Sequence, residues 1–270
     1  MTAREARREK LSGLLAGDAG GELETFLLAN SGLPGPRGNL ELAHDLADLL
    51  AGAPPLPTVR RNLERWRALT AEEAPTGDPR EYLCFCGTLA WSAEWVRRPG
   101  GRGSSQIARS LRRASGDPRW RRREAVAMAL QRIGEKDSTA LLELLASWLE
   151  SDSFLELRAV AAALAHPPLL DEPGFARQAL SLADRLLARV AAAAPDARRG
   201  EAFRVLRQGL GYALSVLAAA EPERGFALLE RWAARRDPDV AWILRENLKK
   251  KRLAAHAGPA ARLSAALGGA

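Results

Sequence analysis

Ala125-Val126-Ala127-Met128-Ala129-Leu130 returns 34 residues later as Ala159-Val160-Ala161-Ala162-Ala163-Leu164. Both stretches are helix formers with alanine at every second position, and small residues let neighbouring helices approach closely. An echo at this spacing is the mark of stacked helix pairs, because one pair cannot bury its own apolar face. In this register Trp120 falls opposite Phe154.

Working outward, helical patterns separated by Gly, Pro and Asp fill the chain. Helices are expected near 3–16, 21–31, 39–51, 58–69 and 80–96. Beyond the glycine-rich turn they continue near 105–115, 118–133, 138–150, 153–165, 173–193, 200–219, 222–235 and 238–250. The steps Asp117-Pro118 and Asp237-Pro238 suit Asp as N-cap with Pro at the first helical position. Leu141, Leu142, Leu145, Trp148 and Leu149 share one face. Alanine and leucine supply most apolar positions, aromatics are 6%, and no alternating strand is evident. The fold expected is all-α, a right-handed α-solenoid. Its divisions are a helical portion at 1–78, the repeat array at 79–253 and a C-terminal tail at 254–270.

Composition bounds the function. The chain has 270 residues, 47% hydrophobic and 27% charged, enough for a real core and unlike a disordered chain. No uncharged run approaches the ~18 residues of a membrane span. The opening MTAREARREKLSG lacks the apolar segment of a secretory signal, so a cytoplasmic location is expected, and a monomer. Cys84 and Cys86 diverge on a helix and read as small apolar residues rather than a disulfide. His44, His166 and His256 are far apart in sequence, so no metal site is expected, nor any cofactor. Phosphate loops and nucleophile motifs are absent.

Charge is the informative feature. The chain carries +7, and 35 of its 40 basic residues are arginine. Between positions 97 and 123 lie Arg97, Arg98, Arg102, Arg109, Arg112, Arg113, Arg119, Arg121, Arg122 and Arg123, against a single acid, Asp117. The local +9 exceeds the charge of the whole chain, so the remainder is slightly acidic. Guanidinium forks fit phosphate oxygens, and such a cluster repels itself unless an anion screens it. Nucleic acid, duplex DNA above all, is the leading partner; an acidic protein bound by a non-enzymatic scaffold is the competing one, and a solvated face the third. Changing Arg121, Arg122 and Arg123 to alanine is expected to weaken binding with little loss of folding. Trp120, amid these arginines, is read as a core residue at a repeat junction, with base stacking as the alternative. A second basic patch, Lys249, Lys250, Lys251 and Arg252, suits the C-terminal end of a helix dipole or a further phosphate contact. Trp91 and Trp95 flank Glu94 on one helical face; two core tryptophans are the ordinary reading, an aromatic pocket for an extruded base the other.

Residues 114–166 resemble the HEAT-like DNA alkylation-repair glycosylases. The likeness rests on Gly116-Asp117, Trp120, Arg123, the alanine-rich helix that follows, the leucine-rich helix 138–150 and Ser151-Asp152-Ser153-Phe154. The segments YLCFCGTLAW, LRQGLGYALSV and WILRENLKKKRL also look like bacterial HEAT-repeat proteins. A 34-residue period fits TPR arrays too, but their W-x2-L-G-x2-Y signature is missing. The resemblance implies DNA bound along a surface of helical repeats and excision of positively charged alkylated purines. Arg123 falls where the family carries a DNA-contacting arginine. Ala162 stands where those enzymes have a tryptophan. Their essential Asp would fall near Cys84, with Glu81 and Glu94 only as nearby carboxylates, so any glycosylase activity is an open expectation.

Overall fold

The computed structural model describes residues 2–17, 20–100 and 102–268. They are 77% helical with no strand, as the composition implies. The helices are α1 (Ala3–Ala16), α2 (Gly20–Ala29), α3 (Leu40–Gly52), α4 (Pro57–Ala68), α5 (Pro79–Arg97), α6 (Arg102–Ser115), α7 (Trp120–Lys136), α8 (Ser138–Trp148) and α9 (Phe154–Leu164). They continue as α10 (Pro167–Leu170), α11 (Phe175–Ala191), α12 (Pro195–Arg198), α13 (Glu201–Ala220), α14 (Pro222–Ala233), α15 (Pro238–Leu248), α16 (Lys251–Ala254) and α17 (Ala257–Gly268). The chain divides into two compact units, Met1–Ile133 and Gly134–Ala270. That division falls within the 79–253 segment read from sequence as one array.

In the first unit α5 is central. It packs against α2, α3, α4 and α6, and residues Glu81 to Ala90 are all buried. A helix covered on every side reads as apolar on every side, which is why YLCFCGTLAW shows no polar stripe. Asp78 caps its start, accepting from the Arg80 N–H at 2.7 Å. α4 lies close against it at Gly87, where an added Cβ would come within 3.2 Å of the Leu63 carbonyl. Both cysteines are free and buried, and burial pushes the Cys86 thiol up to about 12.

In the second unit α13 is central and packs against α9, α11, α14 and α15. The predicted face of α8 is buried at Leu141, Leu142, Leu145 and Trp148, with Leu149 just beyond it. In the echo stretch of α9, Ala159, Val160, Ala161, Ala163 and Leu164 are buried. Asn247 pins α15 to α13: its amide donates to the Leu210 carbonyl at 2.8 Å and accepts from the Ser215 N–H at 2.7 Å. Gly225 brings α14 onto α13, because a Cβ there would sit 2.5 Å from the Ala218 Cα.

Two expectations change. The segment read as a tail, 254–270, contains α17, which buries Leu263 and Leu267 and packs on α14 and α15. Its alternating alanines and leucines hide a helix that lacks strong start signals. The two Asp-Pro steps also differ. Asp237 caps α15 with Pro238 at the first position, accepting from Asp239 and Val240 N–H groups at 3.0 Å each. Asp117 instead closes a turn onto the Arg119 N–H at 2.9 Å, and α7 begins at Trp120.

Candidate anion-binding groove

The arginines of 97–123 separate by fate. Arg119 is 2% exposed. Its guanidinium holds Asp117 side-on, Nε to Oδ1 at 2.8 Å and Nη2 to Oδ2 at 2.9 Å. It also donates to the carbonyls of Leu69, Thr70 and Ala74 at 2.9, 3.0 and 3.1 Å. Arg122 reaches Asp117 Oδ2 at 2.9 Å and the Arg67 carbonyl at 2.8 Å. Together they bond the Arg67 and Leu69 carbonyls at the end of α4 and the Thr70 and Ala74 carbonyls of the turn that follows. Arg121 is buried, paired with Glu81 at 2.8 Å and bonded to the Gly35 carbonyl at 2.7 Å. Arg123 folds back on the Asp117 and Pro118 carbonyls at 2.7 and 2.8 Å. Arg97 donates to the Leu50 carbonyl.

Much of the cluster is therefore screened from inside, by Asp117, Glu81 and backbone carbonyls, rather than by an external anion. The expectation that Arg121, Arg122 and Arg123 can be removed with little loss of folding is corrected: each anchors a turn or a helix end. Burial pushes the Asp117 carboxyl up, but hydrogen bonds from the Arg119 side chain and backbone outweigh it and hold it below its ordinary range.

What remains toward solvent centres on α6. Ser104, Ile107, Leu111 and Ala114 form its buried stripe, and α6 packs on α5. Arg109 and Arg113 are exposed on the other side, Arg112 is half-buried, and Arg98, at the end of α5, is exposed. The Arg102 side chain lies outside the described residues.

Between α4, α5 and α6 runs a groove. Its first compartment, about 420 Å³, is walled by Arg60, Glu64, Arg67, Glu94, Arg97 and Arg98, and by the start of α6 at Gly103 and Ser104. A second, about 390 Å³, shares Glu64, Arg67, Glu94, Gly103 and Ile107, and adds Trp91, Gln106 and Ser110. A third, about 340 Å³, carries the groove past Trp91 to Arg113 and Arg122. Arg67 is the hinge of the arrangement. It donates to Glu94 at 2.6 Å and to the Gly87 carbonyl at 2.8 Å, and its Cζ lies 4.9 Å from the Trp91 ring centre. The tryptophan pair thus splits: Trp95 is buried, while Trp91 is half-buried and faces the groove. Sequence reasoning missed Arg60, Glu64 and Arg67, which lie on a separate helix. Their spacing of three to four residues on α4 was the available signal.

The carboxylates also separate. Glu81 is fully buried, holding Arg121 and accepting from the Gly77 N–H at 2.9 Å. Closed off from solvent, it is not placed to meet a substrate. Glu94 does face the groove, already paired with Arg67. Cys84 is buried, its thiol raised by burial.

Trp120 corrects another expectation. It is 44% exposed rather than in the core, with the Arg121 Cζ 4.4 Å from its ring centre. Beside it lies an apolar hollow of about 320 Å³ lined by Leu40, Tyr82 and Phe85. Phe154, its partner in the 34-residue echo, packs edge-on against Phe203 at 5.2 Å instead.

In the second unit the basic patch gathers on Tyr212, a residue the sequence reading passed over. Arg252 donates to the Tyr212 hydroxyl at 2.9 Å, and its Cζ lies 4.7 Å from the ring centre; Lys250 Nζ lies 5.8 Å from it. Lys249 pairs with Glu246, and Lys251 is exposed. Among the described residues no group of three or more His, Cys, Asp or Glu could hold a metal, and no helix is long and apolar enough to cross a membrane. No family model, curated protein or solved structure matches the chain.

Proposed function

We propose that this protein binds a polyanion, with nucleic acid the class its chemistry fits best, on a scaffold of stacked HEAT-like helix pairs forming a right-handed solenoid. The observation that carries the reading is α6: four arginines in its sequence, no acidic residue, and an apolar stripe opposite the exposed Arg109 and Arg113. Arg109, Arg112 and Arg113 recur at the spacing of one helical face, a row that can follow successive phosphates. Lys250 and Arg252 around Tyr212, with the exposed Lys251 between them in the chain, are a second cationic surface of the same character. The reading places the protein in a bacterial cytoplasm, where nucleic acid is accessible. The proposed function is binding alone: of the carboxylates that the resemblance pointed to, Glu81 is buried against Arg121 and Glu94 is paired with Arg67.

The test is fluorescence anisotropy with labelled duplex DNA across a salt series. Binding at low salt, with log affinity falling against log salt at a slope of about −3, is expected for three to four phosphate contacts. Arg109→Glu with Arg112→Glu should abolish it. Absence of binding at about 50 mM salt, where counterion release still favours association, would sink the reading. Binding to acidic proteins with no binding to DNA would transfer it to the scaffold alternative.

A further inference from the structure

The first compartment of the groove holds an arrangement that the internal pairing of the other arginines does not explain. Arg60, Arg67, Arg97 and Arg98 converge on it, from α4 and the end of α5, against two carboxylates, Glu64 and Glu94. Glu94 is taken by Arg67. That leaves Arg60, Arg98 and Arg97, whose guanidinium also donates to the neutral Leu50 carbonyl, with Glu64 as the one remaining carboxylate of the lining, an excess of positive charge in a concave space. Arg97 senses it: burial first, and then the positive charges of Arg98, Arg60 and Arg67, press its guanidinium below the ordinary value, with Glu94 opposing. The opening turn of α6 forms one wall, contributes no acidic residue, and leaves open space where a Cβ on Gly103 would stand. The adjoining compartment is different in kind. Trp91 and Ile107 give it an aromatic and aliphatic lining, with Gln106 and Ser110 able to hydrogen-bond.

We infer that this groove is a nucleotide site, taking a phosphomonoester among Arg60, Arg97 and Arg98 and the attached flat ring beside Trp91 and Ile107. A phosphomonoester near neutral pH carries about −1.5 to −2 charge, which matches the excess. Each compartment lies within the ~300–1,000 Å³ usual for small-ligand sites. The inference rests on the anion-binding reading of the same surface and narrows it to one place. The ligand is either a free nucleotide or the phosphorylated end of a strand; the chemistry recognised is shared.

Titration calorimetry on the full chain tests it, with adenosine 5′-monophosphate and adenosine as probes. The monophosphate is expected to bind at least about tenfold more tightly than adenosine, as charge-assisted guanidinium bonds require. Arg60→Glu with Arg98→Glu should remove that preference, and both positions are open enough for the fold to tolerate the change, checked by an unaltered thermal midpoint. Arg109→Glu with Arg112→Glu should abolish duplex binding while the preference for monophosphate over adenosine persists. Equal affinity for the two probes, or a preference that survives in the folded Arg60/Arg98 variant, overturns the site. Duplex binding without monophosphate binding overturns the groove alone; the reverse overturns the polyanion reading and leaves the groove standing. A 5′-phosphorylated oligonucleotide that binds no better than its 5′-hydroxyl form assigns the site to a free nucleotide, and a clear preference assigns it to a strand end.

Discussion

The guanidinium of Arg119 lies side-on to the carboxylate of Asp117, two residues earlier, with both contacts at 2.8–2.9 Å. Its outer nitrogens extend from that pair to three carbonyls some 45 to 50 residues back in the chain. One side chain thus closes the turn before α7 and the end of α4 at once. Replacing Arg119 by alanine removes the bidentate partner of a largely buried carboxylate, which keeps only Arg122 and the backbone N–H of residue 119, and takes a donor from three carbonyls. The expected cost is about 3–5 kcal/mol, the range for breaking a buried pair on one side. Arg109→Ala, on the surface, should lie within about 0.5 kcal/mol of wild type. Urea denaturation compares them, and similar midpoints would show that the clamp is not structural.

The same pair makes stability depend on acid. The Asp117 carboxyl is depressed in the folded protein, so its contribution is present above the unfolded value of ~3.9 and is lost as pH falls through the lower folded value. The stability difference between wild type and Asp117→Asn should therefore hold near neutral pH and narrow below about pH 4. Urea midpoints taken from neutral pH downward measure it, and a gap independent of pH would remove Asp117 as the titrating group.

Arg121 and Glu81 form a second buried pair, 7% and 0% exposed at the side chain. Either single change, Arg121→Met or Glu81→Leu, leaves one buried charge without its partner and should cost about 3–5 kcal/mol. The double variant should cost less than the two singles added together, because it removes both charges. A double-mutant cycle by chemical denaturation reads this directly, and strict additivity would mean that the two residues act independently.

Trp120 and Trp148 test burial. Trp148 is 1% exposed and Trp120 44%. Trp148→Ala should cost about 3–5 kcal/mol through loss of packing and the cavity left behind. Trp120→Ala should cost well under half of that, and thermal unfolding of the two variants would show it.

How much was legible follows the distance over which each feature is decided. The helices were readable because their signals are local: Asp237 and Pro238 at one start, the face of Leu141, Leu145 and Trp148 along another, glycines and prolines between. The exception, α17, has weak end signals and is held by burial of Leu263 and Leu267 and by packing on α14 and α15. Trp120 was misplaced because periodicity gives a face but not whether another element covers it.

By itself the sequence determined an all-helical chain, the positions of nearly all its long helices, and a concentration of positive charge at 97–123. Tertiary structure alone decided what that charge does. A guanidinium has five donors that suit phosphate, carboxylate and backbone carbonyl alike. Counting arginines therefore cannot tell a surface charge from an internal tie. The partners that settle it, the carbonyls of Leu69, Thr70 and Ala74 for Arg119 and Glu81 with the Gly35 carbonyl for Arg121, come from distant parts of the chain. Packing brings them together and turns those arginines inward, while Arg109 and Arg113 stay exposed on α6.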